Sequence, residues 1–427
     1  SIMQNTQLEP NSLQQSVVII GASHGGVNFA FNLRQQGWLG KITLLDSDPE
    51  LPYHRPPLSK KTLQSLEVKS IPLKVQKSYT DSHIDLCLGK RVTAINKDNK
   101  IVTLENNKHL AFDKLVIATG CSAFIPPITG LSETVDEYGT SQYFAMRTHS
   151  DAVAIKKALS ASTNKEVVII GGGYIGLESA SSFIALGAKV TVIEKQEKIL
   201  SRVTSSAMSD FLTDLHKAKG VDLQTAKDIV QIKHTNNKHY VQCSDGSEYP
   251  ADFILIGVGV RLNTQLATDA ELVVDQGIKV NDVCQTSHPD IYSIGDCTIH
   301  FNKIYNRWIR LESVQNAVDQ AKVAAQFLAK NNTSAPALPW FWSDQYEYKL
   351  QIVGLSQGYN EIIKRQEAPG QFSLWYFNND TLLCVEAVNY AKAYVLGTQA
   401  IKQGLKVNKQ VLNNLTIALA KPQLFQA

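Results

Sequence analysis

The stretch that decides the fold is Val17–Gly26, VVIIGASHGG. Four apolar residues run into a glycine-rich turn and a helical spacing of apolar residues follows, which predicts a buried strand, a tight turn and a helix start. The N-terminus of such a helix offers free N–H groups and the positive end of a dipole, and both suit a pyrophosphate. Gly21 and Gly26 take the first and third places of the G-x-G-x-x-G pattern, but Ser23 takes the second. We therefore expect Ser23 to keep a negative φ or to add its hydroxyl to the phosphate contacts.

The same pattern recurs later in the chain. Glu166–Glu178 reads EVVIIGGGYIGLE and has glycine in all three places. In both copies a second strand follows and ends in an acid, Asp46 in the first and Glu194 in the second, about 20 residues on, where a ribose hydroxyl would lie. An internal repeat of a whole fold unit predicts two dinucleotide sites, and the alternative is a pair of α/β units that bind nothing.

Glu194 also bears on which dinucleotide the second copy would take. A carboxylate at this place accepts hydrogen bonds from a ribose 2′-OH and repels a 2′-phosphate. The residue therefore favours NADH over NADPH, although Lys195 and Lys198 are close enough in sequence to weaken that preference.

Composition excludes several classes of protein. The chain has 427 residues, of which 44% are hydrophobic and 19% charged. This length and composition predict an ordinary globular protein of two or three domains. A net charge of +3 without a basic block argues against nucleic acid, and no apolar run is long enough to span a membrane. Residues 1–15 are polar, and we expect a disordered tail and no signal peptide. The six cysteines are scattered, which predicts free thiols in the cytoplasm, no metal site and no redox disulfide.

Other buried strands also run into small-residue turns, at Ala118–Gly120, Gly257–Gly259 and Gly295–Asp296. Asp296 would bond a ribose or polyol, or would merely cap a helix. Helices are predicted over 150–160 and 313–328, and a small α+β domain from about residue 331. Its predicted strands span 350–355, 361–364, 372–377 and 382–388, before a helix over 391–403. Because this domain lacks nucleotide-binding signals, we expect it to shield a site or to form an interface.

Five stretches together resemble the FAD-dependent, NADH-oxidising ferredoxin reductases that serve Rieske oxygenases and haem monooxygenases. They are RPPLSK (55–60), ATG (118–120), GGGYIGLE (171–178), RLESVQNAVDQA (310–321) and PWFWSDQY (339–346). The resemblance implies an α/β protein with two Rossmann-like, three-layer nucleotide-binding domains and a C-terminal α+β domain, in a glutathione-reductase-like architecture. It implies an FAD-binding domain over 16–122 and 251–330, an NAD-binding domain over 123–250 and a C-terminal domain over 331–427.

The resemblance, with the two glycine loops, also implies the site residues. The FAD set is Gly21, Ser23, His24, Gly25, Gly26, Asp46, Ser47, Arg55, Lys60, Val92, Ala118, Thr119, Gly120, Arg147, Gly295, Asp296, Ser313, Val314, Gln315 and Trp342. The NAD set is Gly171, Gly173, Tyr174, Ile175, Gly176, Glu178, Glu194, Lys195, Gly257 and Gly259. Because Ser47 stands where close relatives often carry an acid, the residue that would hold the FAD ribose stays open between Asp46, Asp48 and Ser47 itself.

In similar enzymes the lysine of RPPLSK pairs with the glutamate of GLE beside the flavin, so Lys60 and Glu178 are the expected catalytic residues. The implied reaction passes hydride from NADH to FAD and then single electrons to an iron–sulfur ferredoxin or a rubredoxin-like partner. Tyr174 would stack where the nicotinamide enters or would simply be a packed aromatic, and Trp342 would cover the flavin or fill core. A basic set would guide an acidic ferredoxin to the flavin: Lys60, Lys61, Lys303, Arg307 and Arg310.

Other functions share this architecture. A disulfide reductase needs a redox cysteine pair, and an NADH oxidase or peroxidase needs a reactive cysteine near the first helix; the sequence offers neither. A quinone or monodehydroascorbate reductase stays open, because its acceptor leaves little mark on a sequence. An apoptosis-inducing-factor-like flavoprotein lacks support from a basic stripe or a targeting segment. We expect a monomer or a weak homodimer.

Overall fold

The computed structural model describes residues 12–65, 67–334 and 337–426, and their contacts divide the chain into two units. The first unit takes the residues up to His54, together with Ile71–Ser122 and Arg261–Pro339. The second takes Arg55–Ser70, Ala123–Val260 and the residues from Trp340 on. Strands and helices are numbered in chain order over the whole chain.

The first unit is built on a parallel five-stranded sheet. Its strand order is β19-β7-β1-β2-β3, and Val17 of β1 lies between Ile42 of β2 and Lys114 of β7. All four residues of β1 are buried, as expected of a strand covered on both faces. The strands are β1 (Val17–Ile20), β2 (Ile42–Leu45), β3 (Ile84–Cys87), β4 (Val92–Asn96), β5 (Ile101–Leu104), β6 (His109–Ala111), β7 (Lys114–Ile117), β18 (Ile278–Val280), β19 (Ile291–Ser293), β20 (Thr298–Asn302) and β21 (Arg307–Ile309). The helices are α1 (His24–Gln35), α3 (Gln76–Asp81), α7 (Gln265–Asp269) and α8 (Val314–Lys330).

Helices α1 and α8 share one apolar core with this sheet. Phe29 and Leu33 of α1 and Ala321 and Ala325 of α8 are fully buried in it. The small alanines of α8 allow the two helices to approach closely. Two further three-stranded sheets complete the unit, β4-β5-β6 and β18-β20-β21.

The second unit repeats the parallel sheet, in the order β12-β11-β10-β16-β9. An antiparallel meander of β13, β14 and β15 is inserted in the chain between β12 and β16 of this sheet. The strands up to this point are β9 (Tyr143–Ala145), β10 (Glu166–Ile170), β11 (Lys189–Ile193), β12 (Asp222–Gln224), β13 (Ile229–Thr235), β14 (Lys238–Cys243), β15 (Glu248–Ala251) and β16 (Phe253–Ile256). The helices are α2 (Lys61–Gln64), α4 (His149–Ala161), α5 (Tyr174–Ala185) and α6 (Ser206–Ala218), and a 3-10 helix covers Pro56–Ser59. The short strands β8 (Cys121–Ala123) and β17 (Val260–Leu262) lie where the chain passes between the units.

The C-terminal part of the second unit is an antiparallel sheet, β22-β23-β26-β25-β24, with α9 packed on it. A Cβ at Gly397 of α9 would lie 2.5 Å from Val385 Cγ2, so glycine allows this close packing. The elements are β22 (Trp340–Gln345), β23 (Tyr348–Gly354), β24 (Glu361–Ala368), β25 (Gln371–Asn378), β26 (Thr381–Val388), α9 (Ala391–Gln403), β27 (Lys406–Val407), α10 (Lys409–Asn413), α11 (Lys421–Leu424) and β28 (Phe425–Gln426).

The structure differs from the sequence-based expectations at several places. Residues 12–15 are not a disordered tail: Ser12–Gln14 form a 3-10 helix, and the Gln15 carbonyl oxygen accepts a 3.0 Å hydrogen bond from Trp38 Nε1. The rest of the predicted tail, 1–11, lies outside the described residues. The predicted domain boundary at residue 251 would assign β16 to the FAD-binding domain. In the structure β16 pairs with β10, whose other neighbour is β11, so β16 belongs to the parallel sheet of the second unit. Helix α6 and strand β22 were not predicted.

Candidate functional site

The first glycine loop joins β1 to α1 and depends on its glycines. Gly21 has φ +108°, and a Cβ there would overlap the carbonyl oxygen of Ala118. A Cβ at Gly26 would overlap the carbonyl oxygen of Gly21, so the first turn of α1 packs directly against the loop. Ser23 is the N-cap of α1 with φ −109°, which confirms the expected negative φ, and its hydroxyl makes no cap hydrogen bond. The loop therefore presents helix N–H groups and a serine hydroxyl, which fit a pyrophosphate.

Several predicted FAD residues meet at this loop, at the carboxyl ends of parallel strands, where open α/β sheets bind ligands. A Cβ at Gly25 would lie 3.4 Å from Ile294 Cδ1 and 3.6 Å from Ala317 Cβ. The turn after β19 and helix α8 therefore lie beside α1. Gly295 N donates to Gln320 Oε1 at 2.7 Å. Ser313 caps α8, since its hydroxyl accepts from Asn316 N at 3.1 Å. The structure brings together the segments that carry these residues: Gly21, Ser23, His24, Gly25, Gly26, Ala118, Gly295, Asp296, Ser313, Val314 and Gln315.

Five other members of the FAD set lie in the first unit in different surroundings: Asp46, Ser47, Val92, Thr119 and Gly120. Thr119 Oγ1 donates to the Asn263 carbonyl oxygen at 2.7 Å, and Asn263 Nδ2 donates to the Thr119 carbonyl oxygen at 2.9 Å. This pair fixes the backbone of the turn that ends at Gly120. Asp46 follows β2 directly, with exposed Ser47 after it. Val92 is buried in an apolar cluster, so only its backbone is left to reach a ligand.

The structure separates the two acids between which the sequence left a choice. The Asp48 carboxylate accepts hydrogen bonds from Glu50 N at 2.9 Å and from Tyr53 OH at 3.4 Å. Its oxygens are therefore used in stabilising their own turn. Asp46 instead occupies the position after β2 that Glu194 occupies after β11, which favours Asp46 as the ribose acid.

The second glycine loop joins β10 to α5 in the same way. Gly171 has φ +107°, and a Cβ there would overlap the carbonyl oxygen of Gly257. A Cβ at Gly176 would lie 2.6 Å from the Gly171 carbonyl oxygen, whereas one at Gly173 would meet nothing within 4 Å. The open side at Gly173 leaves room for a phosphate to approach the backbone. Gly259 likewise faces open space, with φ +131°.

Glu194 lies against this second loop. Its Oε1 accepts a hydrogen bond from Gly172 N at 3.1 Å, and its Oε2 accepts one from Gln196 N at 2.9 Å. Two backbone donors therefore orient the carboxylate at the place where an adenosine ribose would bind. Lys198 Nζ pairs with Asp210 Oδ1 at 2.6 Å, which offsets the charge that would have attracted a 2′-phosphate. Lys195 is exposed.

Two predicted FAD arginines lie in the second unit. Arg55 Nη1 donates to the Arg147 carbonyl oxygen at 2.8 Å. Arg147 N donates to Asp151 Oδ2 at 2.9 Å, beside the capping box that Thr148 and Asp151 form at the start of α4. The Arg55 side chain is thus bound to the backbone of Arg147, and the two residues lie close together in the second unit.

Lys60 and Glu178, the two expected catalytic residues, form an ion pair. Lys60 Nζ lies 3.3 Å from Glu178 Oε2, and the Glu178 side chain is only 4% exposed. Burial raises the pKa of Glu178 to about 7, although the positive charge and hydrogen bonding of Lys60 oppose that rise. The Glu178 carboxyl therefore changes charge near neutral pH, and it lies near the start of α5, the helix that follows the second glycine loop.

Asp344 of β22 is a third member of this cluster, and the sequence analysis missed its role. Lys60 Nζ donates to Asp344 Oδ2 at 3.3 Å, and the Asp344 side chain is 51% exposed. The negative charge of Asp344 adds to the rise in the Glu178 pKa. The stretch PWFWSDQY was noted for its family resemblance, but nothing in its local pattern indicates that its aspartate would meet Lys60.

Two aromatic site candidates differ in exposure. The Tyr174 ring centroid lies 4.7 Å from that of Phe341, its hydroxyl is buried without a hydrogen-bond partner, and burial raises its pKa well above the usual value. The contact with Phe341 explains why the Tyr174 ring is packed here. Its unpaired buried hydroxyl is in addition able to form a hydrogen bond with a ligand. Trp342 is 37% exposed, and Lys349 Nζ lies 4.3 Å from its ring centroid. Ile175, the second residue of α5 and a member of the predicted NAD set, is exposed.

The predicted basic docking set is largely used within the protein. Lys303 pairs with Asp282 at 3.0 Å, and Arg310 pairs with Glu312. Lys60 is taken by the two carboxylates, and Arg307 lies over the Tyr305 ring. Lys61, the fifth member, is exposed. The sequence alone did not show that the other four side chains have partners within the protein.

Cysteine chemistry gives the rival functions no support. None of the six cysteines, all of which lie in the described residues, forms a disulfide bond; five of them are buried and Cys87 is half-buried. Burial raises the pKa of Cys284 to about 12 and also raises those of Cys87 and Cys297. Such thiols are poor nucleophiles. Within the described ranges no group of three or more His, Cys, Asp or Glu side chains is arranged to hold a metal ion. None of the helices in those ranges has the length and apolar character needed to cross a bilayer.

Comparison with known proteins agrees with this geometry. Residues 15–321 match the family model of the pyridine nucleotide-disulphide oxidoreductases, and residues 340–422 match that of the reductase C-terminal domain. Putidaredoxin reductase of Pseudomonas putida is 38% identical over 409 residues, with 95% of this chain and 96% of that protein covered. A ferredoxin–NAD(P)(+) reductase of Sphingomonas sp. is 34% identical, over 90% of this chain and 92% of that protein. The crystal structure of a covalent putidaredoxin reductase–putidaredoxin complex matches with a TM-score of 0.88 and 37% identity, over 94% of this chain and 96% of that one.

Proposed function

The chain belongs to the pyridine nucleotide-disulphide oxidoreductase family, and from this premise we propose that it is an FAD-containing reductase that takes hydride from NADH and passes electrons singly to an iron–sulfur ferredoxin. The observation that carries the proposal is the duplicated strand–loop–helix unit, with one glycine loop in each half and an acid at the end of the neighbouring strand. The likeness of the chain to reductases of ferredoxin-type proteins supports the choice of acceptor.

We assign FAD to the first loop and NADH to the second. Gly21, Ser23 and the N-terminal amides of α1 would hold the FAD pyrophosphate, and Asp46 its adenosine ribose. The corresponding NADH contacts come from Gly173 and from Glu194, whose carboxylate is already oriented by two backbone donors. Accordingly, the FAD-binding domain comprises 16–122 and 261–330, the NAD-binding domain 123–260, and the C-terminal domain 331–427.

Bound FAD supplies the redox chemistry, since it accepts a hydride and releases two electrons one at a time. The protein supplies position and charge. Lys60 carries a cation that would stabilise the negative charge left by reduction, and Glu178 holds that cation in one place. Because Glu178 is buried, its charge acts on Lys60 with little screening.

Other features of the proposal concern the surroundings of the enzyme. Six cysteines that form no disulfide support a reducing compartment such as the cytoplasm. We propose a monomer or weak homodimer, and an acidic ferredoxin as partner. Since several of the predicted docking cations are paired within the protein, we expect a weaker salt dependence than five free cations would give.

A reductase of a small acceptor, such as a quinone or monodehydroascorbate, is the second candidate. Its sequence would share both nucleotide loops, because the acceptor does not alter them. A slow flavoprotein of the apoptosis-inducing-factor type would also share them. The acceptor therefore has to be tested directly.

The test begins with the purified protein. We expect a yellow protein whose flavin absorbance is bleached by NADH under anaerobic conditions, and much faster than by NADPH. Cytochrome c reduction should then require an added [2Fe–2S] ferredoxin or rubredoxin. A colourless protein that takes up no FAD would refute the proposal, and cytochrome c reduction that is indifferent to either iron protein but fast with quinone would favour the second candidate.

A further inference from the structure

The Lys60 ammonium is shared between two carboxylates of unequal burial. Its Nζ lies 3.3 Å from Glu178 Oε2 and 3.3 Å from Asp344 Oδ2. Glu178 is 4% exposed and Asp344 51% exposed, so one acid lies inside the protein and the other meets solvent. A cation between two acids cannot fully compensate both of them.

The geometry of α5 makes this sharing a built feature. Ser182 Oγ donates to the Ser59 carbonyl oxygen at 2.6 Å, which fixes the backbone just before Lys60. Ser181 Oγ accepts from Tyr346 N at 2.8 Å, which fixes the backbone just after Asp344. The same helix carries Glu178 one turn earlier, so a single rigid element locates all three charged groups.

Ionisable groups from three elements act on Glu178. Lys60 follows the 3-10 helix, Asp344 comes from β22, and Tyr174 lies one turn earlier on α5. Tyr174 stays neutral because burial raises its pKa far above the usual value. Ser343 adds a hydrogen bond that favours the charged form of Glu178. The variable charge that opposes ionisation of Glu178 is therefore that of Asp344.

We propose that Asp344 is a positioning residue, which shares Lys60 with Glu178 and thereby sets the pH at which Glu178 changes charge. This inference deepens the proposed function and rests on it, because Lys60 matters there as the cation beside the flavin. Asp344 would act through Lys60 and would touch neither substrate nor cofactor. Its removal would leave the whole of the Lys60 charge to Glu178, so Glu178 would ionise at a lower pH.

The test compares Asp344→Asn with Glu347→Gln in the oxidised holoenzyme. Glu347 lies on the same β-hairpin and pairs with Lys219, so its variant removes one charge without touching Lys60. The infrared C=O band of protonated Glu178, identified by its loss in Glu178→Gln, is followed against pH. We expect the midpoint to fall by about half to one pH unit in Asp344→Asn and to stay in place in Glu347→Gln.

A second readout is the pH dependence of the rate at which NADH bleaches the flavin. The part of this profile that reports the ionisation of Glu178 should also shift to lower pH in Asp344→Asn. Asp344→Glu should restore the wild-type midpoint, which distinguishes charge from a general loss of structure. Coincident midpoints in Asp344→Asn and wild type, or equal shifts in both charge-removing variants, would overturn the inference. If NADH fails to bleach the wild-type flavin, the proposed function is wrong, while the infrared titration still tests whether Asp344 controls Glu178.

Discussion

Ser182 Oγ donates a 2.6 Å hydrogen bond to the carbonyl oxygen of Ser59. Ser59 is the last residue of the 3-10 helix that precedes Lys60, and Ser182 lies one turn after Glu178 on α5. Both partners are buried, so water does not compete for this bond. The helix that carries the glutamate therefore also holds the turn that presents the lysine.

Removing this bond should affect both stability and catalysis. In Ser182→Ala the Ser59 carbonyl oxygen loses a buried partner, and we expect the free energy of unfolding to fall by about 1–2 kcal/mol. Flavin reduction by NADH should also slow, because Lys60 is less firmly placed. Denaturant unfolding and anaerobic stopped-flow absorbance measure the two effects.

Thr286→Val is the matched control for that variant. Its hydroxyl donates a buried 2.7 Å hydrogen bond to the Ile291 carbonyl oxygen, at the start of β19. The control should lose similar stability and keep the wild-type rate of flavin reduction. Equal rates in Ser182→Ala and Thr286→Val would show that the Ser182 bond serves the fold alone.

Replacing Lys60 should separate cofactor binding from reduction. Lys60→Ala removes the cation, and it leaves Glu178 without the charge that opposes the rise in its pKa. We expect FAD to stay bound and the rate of flavin reduction to fall by at least about tenfold. Stopped-flow absorbance gives the rate, with Lys61→Ala as control because Lys61 is the exposed next residue. A wild-type rate in Lys60→Ala would refute the assigned role.

Glu194 should determine the choice of nucleotide. Glu194→Ser removes the carboxylate that would accept the ribose 2′-OH, and it removes the charge that repels a 2′-phosphate. We expect the ratio of kcat/KM for NADH over NADPH to fall by about tenfold or more. Steady-state kinetics with both nucleotides measure it, and exposed Glu197→Gln should leave the ratio unchanged. An unaltered ratio in Glu194→Ser would place the 2′-OH elsewhere.

Stability should fall as pH rises because of Glu386. This buried residue of β26 accepts a 2.6 Å hydrogen bond from Thr204 Oγ1 and another from Tyr376, and burial raises its pKa to about 7. An unfolded glutamate titrates near pH 4.3. Between these two values the native state binds more protons than the unfolded state, so the free energy of unfolding decreases with increasing pH and levels off above about pH 7.

Glu386→Gln removes that titration and keeps an acceptor for Thr204. When the pH rises from 5 to 8, the free energy of unfolding of the wild type should fall by up to about 3 kcal/mol more than that of the variant. Urea unfolding of the holoprotein at the two pH values measures the difference. Parallel losses in the two proteins would mean that Glu386 is ionised in the folded state already at pH 5.

Local pattern accounts for much of the molecule. The apolar runs before Gly21 and Gly171, and the helices that follow, were predicted correctly because strand periodicity, glycine at positive φ and helix starts are properties of adjacent residues. The negative φ at Ser23 was predicted for the same reason. Strands β23 to β26 and helix α9 were also predicted, since alternation and turn residues mark their ends.

The misplaced elements all depend on distant partners. Strand β16 reads as one more buried strand, and only its pairing with β10 assigns it to the second sheet. Leu13 and Gln15 look like tail, yet they pack against and bond Trp38 and its neighbours. Basic residues such as Lys303 and Arg310 look available for docking until their acidic partners are seen.

By itself, the sequence determined two dinucleotide-binding units and their order along the chain, and its family resemblance predicted the pairing of Lys60 with Glu178 that the structure shows. The tertiary structure alone decided that Asp344 joins that pair and that Ser182 holds the backbone just before the lysine. Strand and loop preferences act over a few residues, so a sequence displays them directly. Charge sharing depends on through-space distances between residues more than 100 positions apart, and those distances exist only once the chain has folded.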